Sequence, residues 1–247
     1  MGYHGCAEVR VLVMILLTQD IVLLILLSYI IMKRILTDKE SKSLEKRIAE
    51  VEKKTGAQIV LAVVGRSDSY AEIPWKVFAL AVSMAGLFIY AFNLLWPGRC
   101  SSATVLVSIV FILIIGITAA LFSVYFPWFA RFFLASHRAE TEVRQYAESF
   151  FLTNELFSTS YRTGILLLIS LFERKVILLP DKGIGGKLSH AEMQKVIEEM
   201  KPFLASRQVY HALENGLDVL GKLLVDKNLK ESGRNELPDM IIEEKGG

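Results

Sequence analysis

The chain reads as a small α/β sandwich with a mixed sheet, interrupted by an inserted transmembrane helical hairpin. Three observations predict this. Residues 77–96 and 103–129 are apolar runs without an acid or a base, each long enough for the roughly 20 residues that cross a bilayer as a helix. Short continuous apolar runs at 59–64 and 164–172, both rich in Ile, Leu or Val, have the pattern of strands buried on both faces. Amphipathic helical stretches lie before the first of these runs, between the two, and after them.

Composition agrees with a mixed protein. Of the 247 residues 53% are hydrophobic, too many for an ordinary soluble domain and too few for a bundle of spans alone. Mean hydropathy is +0.42. The formal net charge of +2 excludes no partner by itself but gives no case for nucleic acid. Cys6 and Cys100 show no metal-like spacing, and His4, His137, His190 and His211 form no cluster in sequence.

At the N-terminus, Val9–Met32 is a third apolar stretch, opened by Arg10, interrupted by Thr18, Gln19 and Asp20, and closed by Lys33-Arg34. It lacks the small-residue cleavage site of a signal peptide. Two expectations stand for residues 1–36: an N-terminal transmembrane anchor, or a non-native extension upstream of a start at Met32. Asp20 has no visible basic partner and is expected to be a tolerated acid.

The first soluble piece, 37–75, opens with Thr37-Asp38-Lys39-Glu40, the form of a capping box. Leu44, Ile48 and Val51 follow at helical spacing, and Thr55-Gly56 stops the helix. The strand at 59–64 ends in the loop Gly65-Arg66-Ser67-Asp68-Ser69-Tyr70. One helix and one strand cannot fold alone, because a lone strand leaves backbone groups unpaired on both edges. Its partners must therefore come from beyond the hairpin, which makes the segment 76–131 an insertion.

In the second piece, 139–227, residues 139–153 predict a helix with Val143, Tyr146, Ala147 and Phe150 on one face. The strand at 164–172 and a third at 175–179 are joined by Glu173-Arg174, a two-residue connection expected to make a β-hairpin. Residues 180–186 read as a loop. Ser189-His190-Ala191-Glu192 is a second capping box, and a last helix covers 208–225. Residues 228–247 read as a polar C-terminal tail apart from 237–242. The order strand 59–64, helix 139–153, strand 164–172 predicts a parallel crossover.

The run Tyr161–Val176 (YRTGILLLISLFERKV) and Asp181-Lys182-Gly183-Ile184 resemble the TPM domain, with its R-T-G-I-L, S-L-x-E-R and D-x-G-I elements. The resemblance extends to 55–60, 66–70 with Pro74-Trp75, and 234–239, and points to a bacterial membrane-inserted branch of the family, over about 37–243. It implies two function classes. Some members are weak acid phosphatases or calcium binders. Others act as maintenance or assembly factors for membrane complexes, and some occur beside LemA-type membrane proteins.

In open α/β sheets ligands bind beyond the carboxyl ends of parallel strands. That edge would carry Arg66, Ser67, Asp68 and Tyr70 from one strand and Glu173 and Arg174 from the next. Asp68 with Glu173 has the oxygen donors for a hard cation such as calcium, and Arg66 or Arg174 suits phosphate. The simpler alternative is that Asp68 caps a turn and Glu173-Arg174 is a polar turn. Residues 183–189 imitate a P-loop but fail it, with Asp181 where Gly is needed and Leu188 after Lys187. No nucleophile–base–acid motif stands out.

Positive residues beside the spans (Arg66, Lys76, Arg131, Arg138, Arg144) outnumber Arg99 of the hairpin loop. By the positive-inside rule the split domain is expected to face the cytoplasm, in a multi-pass protein of the inner or plasma membrane. Two functions stay open: an accessory factor acting through a membrane partner, and a weak metal-dependent phosphatase.

Overall fold

The computed structural model describes residues 35–95, 102–227, 236–237 and 241–246. The N-terminal apolar stretch with Asp20, the hairpin break at 96–101 with Arg99 and Cys100, and residues 228–235 lie outside the described residues. The elements in order are α1 (Asp38–Thr55), β1 (Gln58–Arg66), α2 (Glu72–Leu95), α3 (Ser102–Tyr125), α4 (Pro127–Ala130) and a 3-10 turn (Arg131–Phe133). Then come α5 (Ser136–Thr153), β2 (Gly164–Ser170), β3 (Lys175–Pro180), α6 (Lys182–Gly185), α7 (His190–Ala205), α8 (Val209–Val225) and β4 (Ile241–Gly246).

The four strands form one mixed sheet in the order β3-β2-β1-β4. β1 is central. It pairs in parallel with β2, from Gln58↔Gly164 to Val64↔Ser170, and in parallel with β4 from Leu61↔Ile241. β3 runs antiparallel on the outer side of β2, from Ile165↔Pro180 to Ser170↔Lys175. The unbroken apolar runs of β1 and β2 follow from this position, since both faces of the sheet are covered. Val60, Ala62, Val64, Leu166 and Leu168 meet Val143, Ala147, Phe150 and Phe151 of α5 on one side. On the other, Ile59, Leu61, Val63, Ile165, Leu167 and Ile169 are as deeply buried. There α7 packs on β3 and on α8, and α1 joins them: Arg47 makes a two-pronged bond to Asp218 of α8, at 2.8 and 2.7 Å. The buried Glu52 carboxyl of α1 accepts the Ile59 N–H of β1 at 2.5 Å.

The hairpin helices α2 and α3 leave the sheet after β1 and return before α5, so the sheet is assembled from both sides of the insertion. Both are long and apolar enough to cross a membrane, and they pack on each other. Gly116 marks their close approach: a Cβ there would lie 2.6 Å from Val82 Cγ2 and 2.7 Å from the Phe78 ring. Elsewhere their surfaces are bare, with Leu87, Phe88, Leu106 and Val107 among many exposed apolar side chains.

The structure corrects the sequence pattern in five places. The tail holds β4, which covers the free edge of β1. β2 ends at Ser170, and Leu171–Arg174 is a four-residue turn rather than a two-residue one. The Leu171 and Phe172 N–H groups still bond to the Val64 and Gly65 carbonyls of β1, each at 3.0 Å, so the backbone follows β1 beyond the end of β2 and the apolar run continues into the turn. The second apolar run does not continue through 129. Pro127 cannot extend α3 and opens α4 at its first turn instead. α5 begins at Ser136, three residues before the predicted start. Part of the 180–186 loop is the short α6, capped by the Asp181 side chain on the Lys182 N–H at 2.7 Å.

Candidate functional site

Because β1 and β2 are parallel, their carboxyl ends deliver Arg66, Ser67, Asp68, Tyr70, Glu173 and Arg174 to one end of the sheet. Glu173 is the organising group there and is buried. It accepts the Ser67 N–H at 2.9 Å, the Tyr70 hydroxyl at 2.8 Å, and the Ser170 hydroxyl; Ser67 Oγ also lies 3.2 Å from Ser170 Oγ. Burial, and then the bond to Glu173, raise the Tyr70 phenol above its ordinary pKa. Tyr70 itself sits at φ +47°, the left-handed bend that turns the chain from the loop into α2. Glu173 thus ties the β2–β3 turn to the point where the hairpin leaves the domain.

Asp68 faces a different partner. Arg138, near the start of α5, lies 3.5 Å from Asp68, 3.2 Å from Glu72 of α2 and 3.5 Å from Glu142. One guanidinium therefore links the exit of the hairpin to its return. Asp68 also accepts the Ser69 N–H at 2.8 Å, which is the turn-capping role. Of the expected cation pair, Glu173 gives both oxygens to protein donors and Asp68 is engaged by Arg138. Among the described residues no three His, Cys, Asp or Glu side chains group as a metal set.

The arginines at this edge gather round Phe172. The Arg66 guanidinium lies 4.1 Å from the Phe172 ring centroid and that of Arg131 lies 5.6 Å from it. Arg131 Nε donates to the Phe172 carbonyl at 2.7 Å, and its terminal nitrogen to Leu171 O at 3.4 Å. Arg174 is exposed two residues further on, at φ +54°. Burial lowers the Arg131 pKa, Arg174 and Arg207 push it the same way, and Glu173 opposes them. Phe172 itself packs with Tyr70, Ile73, Val77 and Ala130, at the base of the hairpin. Ser170, Phe172 and Arg131 also join this edge. Ser170 and Phe172 lie within the S-L-x-E-R element, and Arg131 follows an aromatic segment that closes an apolar run; these are the signals that could have found them.

The residues of the R-T-G-I and D-x-G-I elements fall at the opposite end of the sheet. Arg162 pairs with the buried Asp181 at 3.0 Å, and the Asp181 N–H bonds to Gly164 O at 2.8 Å. A Cβ on Gly164 would come within 2.2 Å of the Leu156 carbonyl oxygen, and one on Gly183 within 2.3 Å of that of Tyr161. These glycines are demanded by close backbone packing, so the motif marks a corner of the scaffold.

The fold and this edge define a class: a four-stranded α/β domain with a long apolar helical hairpin spliced in after its central strand. Residues 132–223 match the family model of the TPM domain. The matched stretch supplies α5, β2, β3, α7 and most of α8, while central β1 comes from before the hairpin. No curated protein matches the sequence. Among solved structures, the chain resembles the BA42 protein of the psychrophilic bacterium Bizionia argentinensis, with a TM-score of 0.51 at 15% identity. The likeness covers 86% of this chain and 97% of that one, and concerns the fold.

Proposed function

We propose that the protein is a membrane-anchored TPM-domain accessory factor, which supports assembly or maintenance of a membrane complex through contact with a membrane partner, such as a LemA-type protein. One observation carries this. Among the described residues the α2–α3 hairpin exposes apolar side chains over most of its length, which suits a bilayer and not water. Trp75, Trp128 and Phe132 are exposed near its base, where interfacial aromatics belong. Both ends of the hairpin are bound to one sheet, so the domain would ride close to the membrane. The flanking arginines and lysines support a cytoplasmic face in a multi-pass protein of the inner or plasma membrane. A reporter fused at Gly247 is expected to behave as cytoplasmic, and periplasmic behaviour would reverse the orientation. Mild cross-linking in membranes, then purification, is expected to recover a membrane protein. Recovery of the chain alone would sink the accessory role.

A second function, a weak metal-dependent acid phosphatase using calcium or a similar cation, draws on the shared sheet edge that holds Asp68, Glu173, Arg66 and Arg174. Purified protein on an aryl phosphate, with and without divalent cation, tests it beside Asp68→Ala and Glu173→Ala. Turnover that needs the cation and both carboxyls would favour this function over the accessory one.

A further inference from the structure

Three arginines lie at the base of the hairpin. Arg66 and Arg131 flank the ring of Phe172, and Arg174 follows in the same turn. Among the described residues none of the three makes an ion pair. Arg66 donates to the Ser69 carbonyl, and Arg131 to the carbonyls of Leu171 and Phe172. A guanidinium has five N–H donors, so these bonds leave several unused on each. Other basic groups nearby are neutralised differently: Arg138 by Asp68, Glu72 and Glu142, and Lys175 by Glu140 at 3.6 Å. Glu173, the acid closest in sequence, spends its oxygens on Ser67, Tyr70 and Ser170.

The location matters as much as the charge. Phe172, at the centre of the cluster, packs on Ile73 and Val77 of α2 and on Ala130, with Ala119 and Phe129 beside them. These are the first turns of the outgoing helix and the last turns of the returning one. The cluster therefore lies where an inserted hairpin would meet the headgroup layer, level with exposed Trp75 and Trp128. Guanidinium groups gathered in this way suit a phosphate oxygen fork.

We propose that Arg66, Arg131 and Arg174 form a binding site for the phosphate of an anionic phospholipid headgroup. The site rests on the membrane-inserted hairpin proposed above. It would orient the domain on the leaflet and not merely anchor it. Anionic lipid is the chemistry of the cytoplasmic leaflet, where the positive flanks would place the domain.

The full chain in neutral detergent is titrated with short-chain phosphatidylglycerol, short-chain phosphatidylcholine and inorganic phosphate. Saturable binding of phosphatidylglycerol is expected, with none of phosphatidylcholine at equal concentration. Each arginine removed should weaken it about fivefold, so that Arg66→Gln with Arg174→Gln weakens it about 25-fold. Lys53→Gln with Lys54→Gln makes the same charge change at exposed positions toward the other end of β1, and should leave binding unchanged. Arg174→Gln alone, at an exposed turn position, should show its single fivefold loss in a fully folded protein. Equal binding of the two lipids, or equal losses in the arginine and lysine variants, would overturn the proposal. Inorganic phosphate binding as tightly as phosphatidylglycerol would assign the site to free phosphate and overturn the lipid. Extraction of native membranes with alkaline carbonate separates the two levels. Release of the chain overturns the inserted hairpin and the lipid site together; retention without headgroup preference overturns the lipid site alone.

Discussion

Glu173 shows how one side chain can govern a junction. Its carboxyl takes three donors from two strands' ends and the bend at Tyr70, all in a buried position. Glu173→Ala would leave all three without an acceptor, at about 1–3 kcal/mol for each buried donor that finds no other. Tyr70→Phe removes one bond and keeps the ring against Phe172, whose centroid is 5.6 Å away. Thermal unfolding in detergent should therefore rank Glu173→Ala well below Tyr70→Phe, and Tyr70→Phe below the parent by about 1–3 kcal/mol. Part of this was legible: Ser67, Tyr70 and Glu173 share an edge once the two strands are parallel. What they do there was not, because a carboxyl beside a turn looks the same in sequence whether it waits for a cation or is saturated by protein. The roles of Ser170 and Phe172 were hidden for a similar reason, since both belong to an apolar run whose last residues turn out to be the turn.

At the scale of elements, caps and close helix contacts carry the specificity. The Ser189–Glu192 capping box forms as the sequence predicts, and Glu192 also reaches Lys227 beyond α8 at 2.7 Å. The start of α7 is thereby clipped to the end of α8. Lys227, then the Ser189 backbone and hydroxyl, hold the Glu192 carboxyl down at about pKa 2, from an ordinary 4.5. A lowered carboxyl stabilises the fold above the unfolded value and loses that contribution as pH falls through the folded one. The stability gap between parent and Glu192→Gln should be full above pH 4.5 and close as the pH drops to about 2. Denaturant titrations across that range measure it; a gap that persists at pH 2 would deny the clip. The hairpin offers a packing test of its own. Gly116→Leu must push α2 and α3 apart, whereas Gly86, with nothing within 4 Å of its would-be Cβ, should accept Leu freely. Melting of the two variants in detergent should differ by several degrees, with Gly116→Leu the lower. The hairpin helices themselves were plain in the sequence, since runs without charge at that length have few other uses. β4 was not. Its sequence Ile-Ile-Glu-Glu-Lys-Gly has two apolar residues, and only the free edge of β1 makes it a strand.

For the whole molecule, that last strand closes the domain. Gln58 Oε1 accepts the N–H groups of Glu236 and Leu237, at 2.8 and 3.1 Å, and Leu237 is buried against the α5 face of the sheet. Removing residues 236–247 would bare the edge of the central strand along its length. The shortened chain should aggregate in detergent at concentrations where the full chain stays monodisperse in size-exclusion chromatography. The sheet order makes the reason clear: β1 is flanked by strands from beyond the hairpin on both sides.

The same order has a consequence in time. β1 leaves the ribosome first and ends at Arg66; neither of its partners exists until the chain has passed through both apolar helices and reached Gly164. Synthesis therefore holds a bare, largely apolar strand waiting while the hairpin is made. The domain can close only after both apolar helices have been made, so a folded sheet certifies that synthesis has passed the whole hairpin. Until then β1 is the segment offered to chaperones and proteases, which makes the splice point a built-in delay for the newborn chain.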